Sequence, residues 1–132
     1  MIKLLLLCVG LVAIAGCQKK DDGRIDISGN VTWKGQPVPA GQLFFSPDVA
    51  KGNSGAQGMT AIKNGRFDTS GDQGRPTILG AVIVTVHAFD GVATPEGGSD
   101  GSRLFMPYEM AMEIPADASE IDIVVPESVK GL

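Results

Sequence analysis

Histidine is almost absent from this sequence of 132 residues, since His87 is the only one. A zinc site or a Ser-His-Asp triad needs partner residues at suitable spacing, and the nearest aspartate, Asp90, lies in the predicted loop that follows. Sequence spacing therefore assembles neither kind of centre around His87. We expect it to be a packed or solvated residue on a sheet face, with general acid or base chemistry as the alternative.

Basic residues are also scarce. The chain has 11 Lys and Arg against 15 Asp and Glu, which gives a formal net charge of −4. Proteins that bind nucleic acid neutralise phosphates with clustered basic side chains, and the sequence has no such cluster. We therefore expect no nucleic-acid partner.

Only one long hydrophobic run occurs, from Leu4 to Ile14, and Lys3 precedes it. A bilayer-spanning helix needs about 20 apolar residues, whereas a run of about eleven is typical of the core of a secretory signal. We predict that residues 1–16 are a signal peptide that is removed on export.

Cysteine occurs twice, as Cys8 inside this signal and as Cys17 just after it. Removal of the signal would leave Cys17 without an intramolecular disulfide partner. The segment Ile14-Ala15-Gly16-Cys17 resembles the lipobox of bacterial lipoproteins, in which the cysteine becomes the first mature residue. That resemblance implies a diacylglyceryl group on Cys17, and more than one acyl chain, such as palmitate, anchors firmly. The alternative is an ordinary, unmodified thiol.

The same resemblance implies that the protein is located in the bacterial cell envelope. Inner-membrane retention in many such lipoproteins goes with Asp after the cysteine, whereas this chain has Gln18. We therefore expect the outer membrane more than the inner one. Residues 17–24 are polar and predict a short lipidated tether, and residues 25–132 predict a single folded domain.

Period-two patterns run through this domain, and no segment shows a convincing helical period. Asn64-Gly65 is a strong signal for a hairpin turn between two of the predicted strands. Leu79 to Phe89 is apolar on both faces, which favours a central position in a sheet. The other predicted strands are Ile25 to Trp33, the segment around Leu43 and Phe45, Gln57 to Lys63, Arg66 to Thr69, Ser102 to Met110 followed by Ala111 to Ile114, and Ile121 to Val125.

About seven short strands separated by frequent turns are typical of an all-β sandwich, with a small barrel as the alternative. Each sheet of a sandwich buries its apolar face against the other. On this pattern Leu43 and Phe45 point inward and Phe44 points outward, while Trp33 shares its parity with core residues.

The segment from Gly29 to Pro47 resembles the opening of carboxypeptidase regulatory-like domains, which are transthyretin-like β-sandwiches. Their Gly-x-Val strand, Gly-x-Pro-Val turn and Phe-x-Pro strand end correspond to Gly29 to Val31, Gly35 to Val38 and Phe45 to Pro47. Asn64 to Phe67 resembles the family's Asp-Gly-x-Phe hairpin. The resemblance implies a seven-stranded antiparallel Greek-key sandwich over residues 25–132.

Few residues are candidates for ligand contact. The loop from Asp90 to Gly101 offers the carboxylates of Asp90, Glu96 and Asp100, which suit calcium but also suit an ordinary solvated turn. Phe44 and Tyr108 are candidate aromatic contacts for a small ligand or a sugar. We expect no catalytic residue, no bound metal and no cofactor other than the lipid on Cys17.

These observations favour a membrane-anchored, non-catalytic β-sandwich that serves as an interaction or structural module for an envelope protein. The alternative is a lipoprotein that binds a small ligand or a carbohydrate. A third hypothesis is a transthyretin-like hydrolase. The resemblance implies that such an enzyme has several active-site histidines and a Tyr-Arg-Gly-Ser-like C-terminus. This chain has one histidine and ends in Val129-Lys130-Gly131-Leu132.

Overall fold

Ten β-strands and one short 3-10 helix make up the regular structure of residues 23–132, which a computed structural model describes. The predicted signal peptide and Cys17 lie outside the described residues. The strands are β1 Arg24–Ile25, β2 Ser28–Trp33, β3 Gln36–Pro37, β4 Ala40–Pro47, β5 Gly58–Lys63, β6 Arg66–Asp68, β7 Thr77–Ile78, β8 Gly80–Phe89, β9 Tyr108–Ile114 and β10 Ile123–Val125. The 3-10 helix is Val49–Lys51.

The predicted all-β class is confirmed. Seven strands follow one another in a single curled sheet, in the order β10-β2-β6-β5-β4-β8-β9, and β3 adds to β2. A second, two-stranded sheet joins β1 to β7. The part of the chain from residue 23 to residue 132 contains no apolar helix of membrane-spanning length.

The prediction that every strand pairs antiparallel is wrong at one place. β10 runs parallel to β2, with Ile123 opposite Val31 and Val125 opposite Trp33. The chain leaves β9 at Ile114, crosses one end of the sheet through residues 115–122, and enters β10 from the same end at which β2 begins. Because both strands start at that end, their pairing has to be parallel.

Local sequence explains the strands that were predicted best. Asn64 and Gly65 both have positive φ, 50° and 75°, as a tight hairpin turn between β5 and β6 requires. In β8 every second residue is buried, and β8 lies between β4 and β9 as its two-sided apolar character predicts. The alternating burial of β4 places Leu43 and Phe45 inside.

One hydrophobic core joins the two halves of the curled sheet. Trp33 in β2 contacts Phe105, which precedes β9, with ring centroids 4.9 Å apart. Fully burying each large apolar side chain contributes about 1.5–3 kcal/mol relative to leaving it exposed. The core residues with no measurable exposure are Val31, Leu43, Phe45, Val82, Val84, Val86, Ala88, Phe105 and Ile123. This arrangement is consistent with a β-sandwich.

The strand registers define two ends of the domain. The proximal end carries β1, β7, the start of β8 at Gly80 and the end of β9 at Ile114, which pairs with Gly80. The distal end carries the 64–65 turn and Phe89, which pairs with Ala40. The chain therefore enters the fold at the proximal end, and the 90–107 segment lies at the distal end.

Candidate functional site

The outer side of β4 and β8 carries a row of side chains that are half-buried, except for the exposed Gln42. Phe44 lies opposite Thr85 and Gln42 lies opposite His87 in the antiparallel register, so these four side chains share one face. Because side chains alternate along a strand, this face is the one turned away from the core. The predicted outward position of Phe44 is confirmed.

Four residues meet at the distal part of this face, and we name them the Arg103 cluster: Phe44, His87, Phe89 and Arg103. The rings of Phe44 and His87 meet edge to face, with centroids 5.4 Å apart. The Arg103 guanidinium lies 5.1 Å from the centre of the Phe89 ring, within the range of cation–π attraction. Arg103 also bridges to Phe89 through the backbone, which fixes the segment against β8.

The contact between Arg103 and His87 fixes the state of the imidazole. Nη1 of Arg103 lies 3.3 Å from Nδ1 of His87. A guanidinium N–H can only donate, so Nδ1 accepts and the neutral ring carries its proton on Nε2. Burial lowers the pKa of His87 below its ordinary value of 6.5, and the neighbouring Arg103 charge lowers that pKa further. His87 is therefore a neutral donor on this face at neutral pH.

Arg103 has no carboxylate within ion-pairing distance among residues 23–132. Its side chain is exposed, while the Phe89 ring and His87 hold its planar guanidinium in place. A positioned guanidinium suits a carboxylate or another planar oxyanion, because two parallel N–H bonds can form. The Arg103 cluster can therefore bind an anionic group beside an apolar surface.

The loop after β8 is closed by Asp90, which had been a candidate calcium ligand. Its Oδ1 accepts hydrogen bonds from the backbone N–H groups of Val92, at 2.9 Å, and Ser102, at 3.2 Å. Such a bond to the residue two positions later is a turn-forming role of aspartate. The structure thus assigns the Asp90 carboxylate a part in holding the loop.

Glu96 and Asp100, the other two carboxylates of that loop, are exposed. Residues 23–132 contain no group of three or more His, Cys, Asp or Glu side chains that could hold a metal ion. A turn from Thr94 to Gly98, closed by two backbone hydrogen bonds of 2.9 and 3.2 Å, shapes the loop instead.

Tyr108 and Phe44 are not brought together. Tyr108 pairs with the buried Val86 in the register of β8 and β9, so it lies on the core side and packs against the core. Phe44 lies on the opposite side of the same sheet. These two rings therefore cannot form one platform for a sugar.

Trp33 is partly buried, in keeping with its core parity. Nζ of Lys34 lies 4.6 Å above its ring, and its ring edge contacts Phe105. Its indole Nε1 is buried without a hydrogen-bond partner among the described residues. The ring serves packing between the two halves of the sheet.

Arg103 and Gln42 are the functional candidates that sequence reasoning missed. Phe89 and His87 are two positions apart in one strand, so alternation alone places them on the same face. Arg103 belongs to the segment after the loop, and its return to Phe89 depends on the loop closure by Asp90, which no local pattern indicates.

Comparisons of the chain with protein-family models, with curated proteins and with solved structures find no match. The geometry of its own residues is therefore what supports a function.

Proposed function

We propose that this chain is a lipid-anchored protein of the bacterial envelope whose β-sandwich is a non-catalytic interaction module. The observation that carries the interaction role is the Arg103 cluster, an exposed cation held by a ring on a half-buried apolar face. The sandwich is proposed to be of the carboxypeptidase regulatory-like, transthyretin-like type with Greek-key connections. The hairpin at Asn64-Gly65 and the inward Leu43 and Phe45 support that type.

The anchor and the fold are compatible in distance. Cys17 precedes Arg24, the first residue of β1, by seven residues. Even a fully extended chain of that length spans about 25 Å at most. A lipid on Cys17 would therefore hold the proximal end near the membrane surface and present the distal end away from it.

This orientation places the Arg103 cluster where a partner can reach it. Phe89, His87 and Arg103 belong to the distal half, next to the 90–101 loop. Exposed apolar surface beside charged groups is typical of interaction sites on soluble domains. Arg in addition is enriched at the centres of protein interfaces.

A photo-crosslinking experiment in cells tests the role of the face. A benzophenone amino acid at exposed Gln42, opposite His87, should give a discrete adduct with the full-length chain. The same group at exposed Glu127 serves as the control and should not give that adduct. Arg103→Gln should abolish the Gln42 adduct, and an unchanged adduct in that variant would contradict the proposal.

The anchor has its own test. Cys17→Ser should abolish lipid labelling and leave unprocessed precursor. Any form of this variant that is cleaved at another position should be released from washed membranes. Normal processing and membrane retention of this variant would refute the lipoprotein assignment.

A second candidate function, binding of a small acidic ligand or acidic sugar, is favoured by the donors that surround Phe44. Arg103, the Nε2–H of His87 and the amide of Gln42 all lie on the same face. A ligand present at 100 times its Kd stabilises the folded state by about 2.7 kcal/mol. Galacturonate should then raise the melting temperature, galactose and acetate should not, and Arg103→Gln should remove the effect.

A further inference from the structure

Strand β9 forms an open edge of the curled sheet. It pairs with β8 over all seven of its residues, and among residues 23–132 no segment pairs with its other side. Such an edge presents a row of unpaired N–H and C=O groups to an added strand. Pro107 and Pro115 flank the strand, so the open stretch is confined to Tyr108–Ile114.

The two sides of β9 differ in chemistry. On the core side, Tyr108, Met110 and Met112 are only half-buried, because no strand covers them beyond the edge. On the outer side, Glu109 and Glu113 are exposed and have no ion-pair partner among the described residues. An added strand would extend the apolar row on one side and meet two carboxylates on the other.

A second copy of the chain is a poor occupant of this edge. Two β9 strands that pair antiparallel over all seven residues place Ala111 opposite its equivalent. Each Glu109 then lies directly opposite Glu113 of the other copy. Like charges in directly opposed positions destabilise a strand pair. Basic side chains at those positions would instead form cross-strand ion pairs.

We propose that the β9 edge binds an extended peptide segment of a partner protein in which apolar and basic residues alternate. The main chain supplies the hydrogen bonds of an added strand, and the alternate side chains supply specificity. Lysines or arginines face Glu109 and Glu113, and apolar residues continue the row of Tyr108, Met110 and Met112. This inference rests on the proposed role as an interaction module, but uses neither the lipid nor the Arg103 cluster.

Fluorescence anisotropy with synthetic peptides tests the inference on the full chain in detergent micelles. The probe is the labelled heptapeptide Val-Lys-Val-Thr-Val-Lys-Val, whose two lysines have the spacing of Glu109 and Glu113. We expect binding that is at least tenfold tighter than that of Val-Glu-Val-Thr-Val-Glu-Val. A shuffled peptide of the same composition and a peptide N-methylated along one edge should both fail to bind. Equal binding of the shuffled peptide would show simple charge attraction and overturn the inference.

A charge exchange supplies the matched control. The double variant Glu109→Lys/Glu113→Lys should reverse the preference and bind the glutamate peptide more tightly. The variant Glu96→Lys/Glu127→Lys makes the same change in net charge at exposed positions away from the edge and should keep the lysine preference. The same preference in both variants would overturn the inference.

Two further outcomes separate this inference from its premise. Absence of peptide binding, together with a Gln42 adduct that Arg103→Gln abolishes, would refute the edge site and leave the interaction module standing. Peptide binding without any such adduct would refute the interaction role of the Arg103 cluster and leave the edge site standing. Self-association that Glu109→Lys/Glu113→Lys changes, measured by sedimentation, would assign the edge to a second copy and overturn the inference.

Discussion

Gly29→Ala should loosen the attachment of the last part of the chain to β2. A methyl group at Gly29 would lie 1.9 Å from the carbonyl oxygen of Ile121 and 3.1 Å from the Phe67 ring. Cβ atoms stay at least 3.0 Å from such atoms, so the Ile121 backbone must retreat by about 1 Å or more. The obstacle is main chain, which cannot rotate away as a flexible side chain would.

That retreat affects two hydrogen bonds that tie residues 119–121 to β2. Ile121 N donates to Ser28 O at 2.8 Å, and Ser28 N donates to Ser119 O at 3.0 Å. Each such bond contributes about 1 kcal/mol, and partial loss of Ile123 burial adds a similar amount, so we expect about 2–4 kcal/mol of destabilisation. For a domain of this size the melting temperature should decrease by about 8–15 °C.

Thermal unfolding followed by circular dichroism measures this effect, with Gly71→Ala as the matched control. At Gly71 the nearest atom to an added methyl group is Asp68 O, at 3.3 Å, so only a small adjustment is needed. We expect the control to melt within about 2 °C of the wild type. A Gly29→Ala variant that melts as the wild type does, or a control that loses as much, would refute the reasoning.

Three smaller predictions concern the distal end. The single histidine gives one imidazole titration by NMR; its pKa should lie below 6.5 and should move toward 6.5 in Arg103→Gln, without reaching it because burial is the larger cause. Unfolded His87 binds a proton more readily than folded His87, so the stability of the fold should decrease as the pH falls below about 6.5. His87→Asn should remove that part of the decrease. Melting temperatures at several pH values measure both effects. Asp90→Ala removes the acceptor for the backbone N–H groups of Val92 and Ser102, so it should lower the free energy of unfolding by about 1–2 kcal/mol. It should also speed proteolytic cleavage between residues 90 and 102. Unchanged cleavage would contradict a loop-holding role.

The parts of the fold that depend on neighbouring residues could be predicted from the sequence. The Asn64-Gly65 turn needs only two residues that tolerate positive φ, and the structure has both in that conformation. The inward side of β4 and the central position of β8 follow from alternation and from apolar residues on both faces. These features are local, so a short window of sequence contains their cause.

Other features depend on residues far apart in the chain and were missed. The predicted strand from Ser102 begins only at Tyr108, after Pro107, which has no N–H to donate to a ladder. The predicted first strand is divided at residues 26–27, because Ile25 pairs with Thr77 while Ser28 pairs with Asp68. The Arg103 cluster likewise forms only when the 90–101 loop returns the chain to Phe89.

The parallel pairing of β2 with β10 has a consequence for the order of folding. Asn30 lies beside Asp122, which is 92 residues away in sequence. The backbone N–H and the side-chain amide of Asn30 both donate hydrogen bonds to Oδ1 of Asp122. Loop closure over such a separation is slow relative to formation of hairpins like that at Asn64-Gly65. A chain synthesised from its amino end therefore cannot complete its core until Ile123 and Val125 exist, because these buried residues belong to β10, the last strand to pair with β2.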